Sequence, residues 1–400
     1  MTTQHYDLLV VGGGMVGLTL ALASARAGLS TAVIDNHAPP SFAADRPFDL
    51  RVSAINLASQ HLFAQLDAWP GIEARRYCPY EKMVVWDSQT SGHIEFDAAE
   101  LGLPWLGFII ENAVIQQALL DQAQQTAELT WHCPAEPQAF HFDARNVEVS
   151  LEDGRRLQAR LLVGADGRNS RVRAAAGLGW RAVHYGQTAI VANVITARPT
   201  QATAWQRFLP SGPVAFLPLA EHHSAVVWST SARQANELLA LADAAFVSRL
   251  ERAFGRRLGA IEAIGRRASF PLQGAQALRY VDRRVALIGD AAHTIHPLAG
   301  QGANLGFLDA AALAEVITMT QHDIGSMRVL GRYARARREH NLLMQRSMEG
   351  LQALFGSQLP PLELARSLGL SMVNRTPLAK HFFMRQALGL ARDWPPLAQA

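Results

Sequence analysis

Residues 6–35 read YDLLVVGGGMVGLTLALASARAGLSTAVID, and the order of features in this stretch decides the fold. An apolar run ending at Val11 meets Gly12-Gly13-Gly14-Met15-Val16-Gly17, a helix-like segment follows as far as Gly28, and a second apolar run closes on Asp35. Strand, GxGxxG, helix, strand and acid together describe a dinucleotide-binding βαβ unit. Gly12 permits the tight turn, Gly14 lets a pyrophosphate approach the backbone, and Gly17 allows close packing of helix on strand. The helix N-terminus faces the phosphates, and Asp35 stands where it accepts hydrogen bonds from ribose hydroxyls. An acid there disfavours a 2′-phosphate, so the ligand is FAD or NAD; this motif does not separate them.

Two later stretches favour the flavin. In LLVGADGRNSRVR (161–173) an apolar strand enters Gly164-Ala165-Asp166-Gly167 and leads to an Arg-rich helix start. In VALIGDAAHTIHPLAGQGANLGFLDAAALAEVI (285–317) a buried strand meets Asp290, a glycine-rich loop and an Ala-rich helix. Glycines ahead of a helix let a ligand reach the backbone, and the helix N-terminus attracts negative charge. Two phosphate-sized loops plus an isolated Asp suit one long dinucleotide better than NAD. The chain has no second GxGxxG, so a nicotinamide donor is expected to bind only transiently.

The set GGGMVG, GADG and GDAAH, in this order and at these distances, resembles the single-component FAD-dependent aromatic hydroxylases of the p-hydroxybenzoate hydroxylase fold, over nearly the whole chain. The resemblance implies an α/β protein: a Rossmann-like FAD-binding domain, an inserted mixed β-sheet substrate domain and a helical C-terminal region. It implies non-covalent FAD, reduced by NADH or NADPH. Asp290 is expected on the ribityl chain, with Gly300, Gly302, Ala303 and Asn304 presenting backbone N–H groups to the flavin pyrimidine edge. The Asp166 turn is expected beside the pyrophosphate and the path of the nicotinamide donor. Reduced flavin is negative near N1 and C2=O, where a helix N-terminus stabilises it. Arg51, in DLRVSAIN, and Asn112, in IIENAVIQQAL, match further positions near the flavin, although many relatives carry Arg or Gln at the second.

RVSAIN, GHIEFD, AFLPL, GDAAHTIHPLAGQGANLGFLDA, LPPLELARSLGL and RQALGL narrow the resemblance to the ubiquinone-biosynthesis flavin hydroxylases, the UbiH/UbiF/VisC type. Such enzymes use O2 to hydroxylate the ring of a polyprenylated phenol or benzoquinol. GHIEFD and DAAHTIHPLAGQG look most like the member acting on 2-polyprenylphenol at C5, which is the expectation. WQRFLPSGP and QLPPL look closer to the enzyme acting at C6 of the methoxy-benzoquinol intermediate. A flavin-dependent isoprenoid reductase and a flavin-binding assembly factor are the alternatives this architecture leaves open. Pro297 is expected to line the ring face, and His293 either to anchor the loop or to act as an acid–base group. No residue stands out as the catalytic base.

The motifs divide the chain into a discontinuous FAD-binding domain (1–75, 105–180 and 275–320), a substrate-covering mixed sheet (76–104 and 181–274) and a helical region (321–400). With 49% hydrophobic and 18% charged residues, the 400-residue chain has ample material for a large core. Residues 321–400 carry 11 Lys+Arg against 5 Asp+Glu, a net +6 within an overall +3. That end, where Leu378, Phe382, Phe383, Met384 and Leu388 interleave with Lys380 and Arg385, suits a membrane surface, a quinone-biosynthesis enzyme complex or its own core. No metal-ligand cluster, nucleic-acid motif, signal peptide or spanning segment is evident. Cys78 and Cys133 build no disulfide framework. The expectation is a cytoplasmic protein, peripheral to the inner face of the membrane.

Overall fold

The computed structural model describes residues 3–39, 42–43, 45–220, 222–295, 300, 302–356, 369, 371–390 and 395–399. The continuous apolar runs become parallel strands covered on both faces, as such runs require. Leu8, Leu9, Val10, Leu161, Leu162 and Leu287 are completely buried. In the first sheet the order is Val281–Asp282, Val285–Leu287, Arg156–Gly164, Gln4–Val11, Thr31–Ile34 and Leu129–His132. Pro137–Phe142 and Val147–Leu151 join it as an antiparallel hairpin. Val11 pairs with Gly164, and Gly164 with Leu287. Three strands thus end in register, and the three glycine motifs emerge side by side at one sheet edge.

A second sheet lies over that edge. Its order is His293–Thr294, Ile261–Ala277, Trp180–Thr196, His223–Ser231, Gly212–Pro218, Thr203–Leu209, Lys82–Asp87 and His93–Asp97. Pairing is antiparallel except between Thr203–Leu209 and Lys82–Asp87. Alternation along the strands gives each face a role. Ile190, Val214, Phe216 and Trp228 pack on Phe246, Leu250 and Phe254 of the helix Asp243–Phe254. The opposite face looks toward the first sheet. Between the two lie Val52–Ile55, Cys78–Tyr80 and Gly107–Glu111, paired as a small third sheet. Two strands cross the divisions drawn from sequence: Cys78–Tyr80 pairs with Gly107–Glu111, and the cover strand Ile261–Ala277 runs past residue 275 to pair there with His293–Thr294.

The helix Met327–Gly356 ties the parts together. Near its start Val329, Leu330 and Tyr333 enter the main core, and the Tyr333 hydroxyl donates to Leu287 O at 2.7 Å. Near its end Met348 and Phe355 pack on Val85 and Phe208, the Phe355 ring stacked on that of Phe208 at 3.8 Å. On the helix Pro377–Leu388 the apolar residues divide: Met384 and Leu388 pack on Ala98 and Leu106, while Leu378, Phe382 and Phe383 face outward. Lys380 is buried against Glu100. Among the described residues no helix is long and apolar enough to cross a membrane.

Asp309 sits at the centre, with none of its surface exposed. Its carboxylate meets His293 Nε2 at 2.5 Å, accepts from Arg337 Nε at 2.8 Å and Asn341 Nδ2 at 3.0 Å, and accepts from Gly289 N at 3.1 Å. Burial alone would raise its pKa, but the His293 and Arg337 charges and these hydrogen bonds hold it well below the usual carboxylate range.

Beside this node, burial and the Arg337 charge push the His340 imidazole down to about 4. The unfolded chain, with an ordinary His pKa of about 6.5, then binds more protons than the native state between those values, so native stability falls as pH drops through that window. Urea unfolding from pH 7 to 4 is expected to show this slope in the parent and a shallower one in His340→Gln; identical slopes would show that His340 is not held neutral.

Candidate active site

The three glycine motifs meet at distances that only glycine tolerates. A Cβ on Gly12, whose φ is +108°, would stand 2.3 Å from Ala165 O, and one on Gly17 would stand 1.9 Å from Gly12 O. Gly14, at the N-cap of the helix Met15–Arg26, has open space before it. Asp35 accepts from Gly13 N at 2.6 Å and His37 N at 2.9 Å, so its carboxylate is oriented by the turn it serves.

Asp166 shapes its own turn, which packs against Gly12. It accepts from Ser170 Oγ at 2.5 Å, Arg171 N at 2.7 Å and Val172 N at 3.2 Å. Its side chain closes the start of the short helix Arg171–Ala175 and so shapes the turn. Desolvation raises its pKa, and these bonds oppose the rise.

Asp290 is free. Its side chain is exposed and has no hydrogen-bond or ion-pair partner among the described residues. The crowded cleft raises its pKa, with the charges of His293, Arg51 and Arg168 opposing that shift. Arg51 is exposed to the same space, carried by a loop that Glu111 fixes through Asp49 N at 2.7 Å. Asn112 opens the helix Asn112–Gln124, its Oδ1 accepting from Ser53 Oγ at 2.7 Å. The helix Gly302–Thr318 begins at Gly302, so the N–H groups of Gly302, Ala303 and Asn304 have no acceptor within the helix. The Asn304 side chain is internal: Nδ2 donates to Ala54 O at 2.8 Å, and Oδ1 accepts from Ser59 Oγ at 2.8 Å. Pro297 and His296 lie outside the described residues.

Over these groups the inner face of the cover sheet closes a chamber of about 270 Å³. Arg51, Ala54, Asn112 and Gly300 form its floor; Met83, Ala204, Gln206, Ala215, Val227 and Phe270 belong to the cover. Tyr80 stands at its side, its phenol pushed up to about 12 by burial and therefore protonated at neutral pH. His293 is not on the wall. It is 2% exposed, bound to Asp309 and stacked on Tyr280, which removes it from contact with a ligand in this chamber.

Three supporting residues escaped the sequence reading. Arg173 donates to Ala291 O at 2.9 Å and Arg168 O at 2.7 Å, joining the GADG and GDAAH turns, while its guanidinium covers the Trp180 ring at 3.8 Å. Gln116 Nε2 donates to Gly13 O at 2.8 Å, and it lies one turn beyond Asn112 on the same helix, a spacing that could have signalled it. Trp131 leaves no room for a side chain at Gly13, a contact made across 118 residues of sequence with no local signal.

The donor set fits FAD: open space at Gly14, a free carboxylate at Asp290, and a helix N-terminus beside a chamber large enough for an aromatic ring. When bound, FAD supplies the redox chemistry, taking electrons from NAD(P)H and transferring one oxygen atom of O2 to the ring. The chain's own residues orient cofactor and ring and exclude water.

Comparison with known proteins agrees. Residues 5–347 match the FAD binding domain family. The fold is shared with p-nitrophenol 4-monooxygenase from Pseudomonas putida, at a TM-score of 0.78 and 18% identity, over 96% of this chain and 99% of that one. The family match and the two relatives that follow make the chain an FAD-dependent monooxygenase acting on aromatic rings. The sequence is 40% identical to the 3-demethoxyubiquinol 3-hydroxylase of Escherichia coli over 98% of this chain and 100% of that protein. It is 41% identical to the ubiquinone hydroxylase UbiL of Rhodospirillum rubrum, over 97% and 91%. The chain belongs to the ubiquinone-biosynthesis FAD-dependent hydroxylases.

Arg173→Leu is expected to lower unfolding free energy by about 1–3 kcal/mol, because the buried Ala291 carbonyl and the part-buried Arg168 carbonyl lose a charged donor, and to weaken FAD binding. Urea titration and flavin fluorescence check this; unchanged FAD affinity would separate Arg173 from the cofactor turns.

Proposed function

We propose that the protein hydroxylates the methoxy-benzoquinol intermediate demethoxyubiquinol at C6, in place of the expected 2-polyprenylphenol at C5. The carrying observation is the end-to-end match with the E. coli 3-demethoxyubiquinol 3-hydroxylase. On the cover sheet the placement of the conflicting sequence signals supports it; DAAHTIHPLAGQG (290–302), the other stretch read for C5, contributes the flavin-side Gly300 among the described residues. GHIEFD (92–97) forms the outermost strand of the cover and contributes nothing to the chamber wall, whereas WQRFLPSGP (205–213) contributes Gln206 and Pro213. QLPPL (358–362) lies outside the described residues.

In this reading Asp35 holds the adenosine ribose, the Gly12–Gly17 turn the pyrophosphate, and Asp290 the ribityl chain. Arg51 and Asn112 flank the ring, and the N–H groups from Gly300 to Asn304 face its pyrimidine edge. His293 is a positioning residue that fixes the Asp290 turn through Asp309. The outward Leu378, Phe382 and Phe383, set in the basic C-terminal region, suit an anionic membrane surface from which a polyprenylated substrate is taken.

Asp290→Ala is expected to lose most of its FAD, and Asp35→Ala to bind it more weakly by about 1–3 kcal/mol. Wild-type occupancy in both variants would overturn these placements. The substrate is tested by mass spectrometry of lipid extracts from a deletion strain, where demethoxyubiquinol should accumulate; accumulation of 2-polyprenylphenol would restore the C5 assignment. Purified holoenzyme should form no product without O2, and anaerobic turnover would mark a reductase instead.

A further inference from the structure

The chamber wall contains one group that the oxygen-transfer chemistry does not use. Gln206 lies in the middle of the strand Thr203–Leu209, on the face turned toward the flavin site, and is 8% exposed. Its carboxamide has no hydrogen-bond partner among the described residues, yet its polar atoms are not sealed off from the chamber. A buried amide left unpaired costs free energy unless a ligand completes it. Its neighbours on that wall are Ala204, Pro213, Ala215 and Val227, which leave room beside the amide, and the one other polar side chain that the cover contributes among the described residues, Ser229, stands two strands away. Arg51, on the floor, is the one charged side chain among the described lining, so the part of the chamber facing Gln206 suits a neutral ring.

A carboxamide differs from a hydroxyl in presenting a donor and an acceptor side by side in one plane. Every unsubstituted carbon of a 1,4-benzoquinol neighbours a hydroxyl-bearing carbon, so a methoxy group placed on one has a hydroxyl beside it. A 2-alkylphenol offers a hydroxyl alone. We propose that Gln206 is the specificity-determining residue of the chamber, with Nε2–H donating to the methoxy oxygen and Oε1 accepting from the adjacent hydroxyl of a methoxy-benzoquinol. This pairing rests on the C6 reading and gives it a structural cause. It also turns the ring in its own plane, so that one carbon and not its neighbour is presented to the flavin side, where Arg51, Asn112 and Gly300 stand.

The test uses FAD-loaded protein, a short-chain prenyl methoxy-benzoquinol, its analogue with ethyl in place of methoxy, and a short-chain 2-prenylphenol. Binding is read anaerobically from the perturbation of flavin absorbance, and turnover as hydroxylated product and hydrogen peroxide formed per NAD(P)H oxidised. The parent should bind the methoxy ring at least roughly tenfold more tightly than the ethyl analogue, the size expected for losing one well-made buried hydrogen bond. In Gln206→Leu and the more flexible Gln206→Met that difference should vanish, 2-prenylphenol binding should stay within about twofold of the parent's, and more of the NAD(P)H consumed should end as peroxide. A folded, FAD-loaded variant that keeps the methoxy preference overturns the role of Gln206. Equal affinity of the parent for methoxy and ethyl rings overturns it without any variant, and so decides the matter if the substitutions impair folding. Parent enzyme that hydroxylates 2-prenylphenol and ignores the methoxy ring would instead overturn the C6 reading itself.

Discussion

A single carboxylate with no exposed surface holds the architecture in place. Asp309 lies inside the helix that approaches the flavin site and binds His293, Arg337 and Gly289 at once. Each of those partners belongs to a different part of the molecule: a strand of the cover sheet, the long C-terminal helix and the turn that presents Asp290. A buried charge is tolerable only when fully paired, and losing any one partner leaves the rest uncompensated. The node therefore couples cofactor turn, substrate roof and C-terminal helix.

The chemistry that this frame serves is mostly a matter of placement. Oxygen transfer belongs to the cofactor, and the described chamber walls hold no histidine or carboxylate that would act on the ring. Beside Arg51, Asn112 and Ser229 they provide apolar side chains, a protonated phenol at Tyr80 and an amide at Gln206 without a partner among the described residues. Such a site selects by shape and by a few hydrogen bonds, and a buried polar group discriminates more sharply than a methylene does.

Sequence revealed the parts of this design that depend on local backbone geometry. The GxGxxG turn, GADG and GDAAH were legible because each needs glycine or an acid at a fixed offset from a strand, and those offsets survive in one dimension. The cover strands that hold KMVVWD (82–87), VAFLP (214–218) and SAVVWST (224–230) all lie in one sheet. The contacts between distant segments did not show: Arg173 reaches Ala291, Trp131 crowds Gly13, and Asp309 captures His293. Asp166 and His293 look in sequence like ligand-facing groups because they adjoin glycine-rich turns. The bonds of Asp166 stay within its own turn and those of His293 lead to Asp309, in keeping with the loop-anchoring reading of His293. GHIEFD, one of the two stretches behind the C5 expectation, is distinctive in sequence and lies at the edge of the sheet.

The helix Met327–Gly356 has 30 residues, a length of about 45 Å at 1.5 Å per residue. It is clamped at one end by Tyr333 and Arg337 in the FAD-binding half and at the other by Met348 and Phe355 under the cover. A rod fixed at both ends behaves as a spacer between floor and ceiling. Inserting or deleting one residue between the clamps would rotate one set of anchors by about 100° relative to the other, turning Phe355 away from Phe208 or Arg337 away from Asp309. The height of the chamber is thus quantised in helical turns, and changes in substrate size must come from side chains on the walls, because the spacer admits no gradual adjustment.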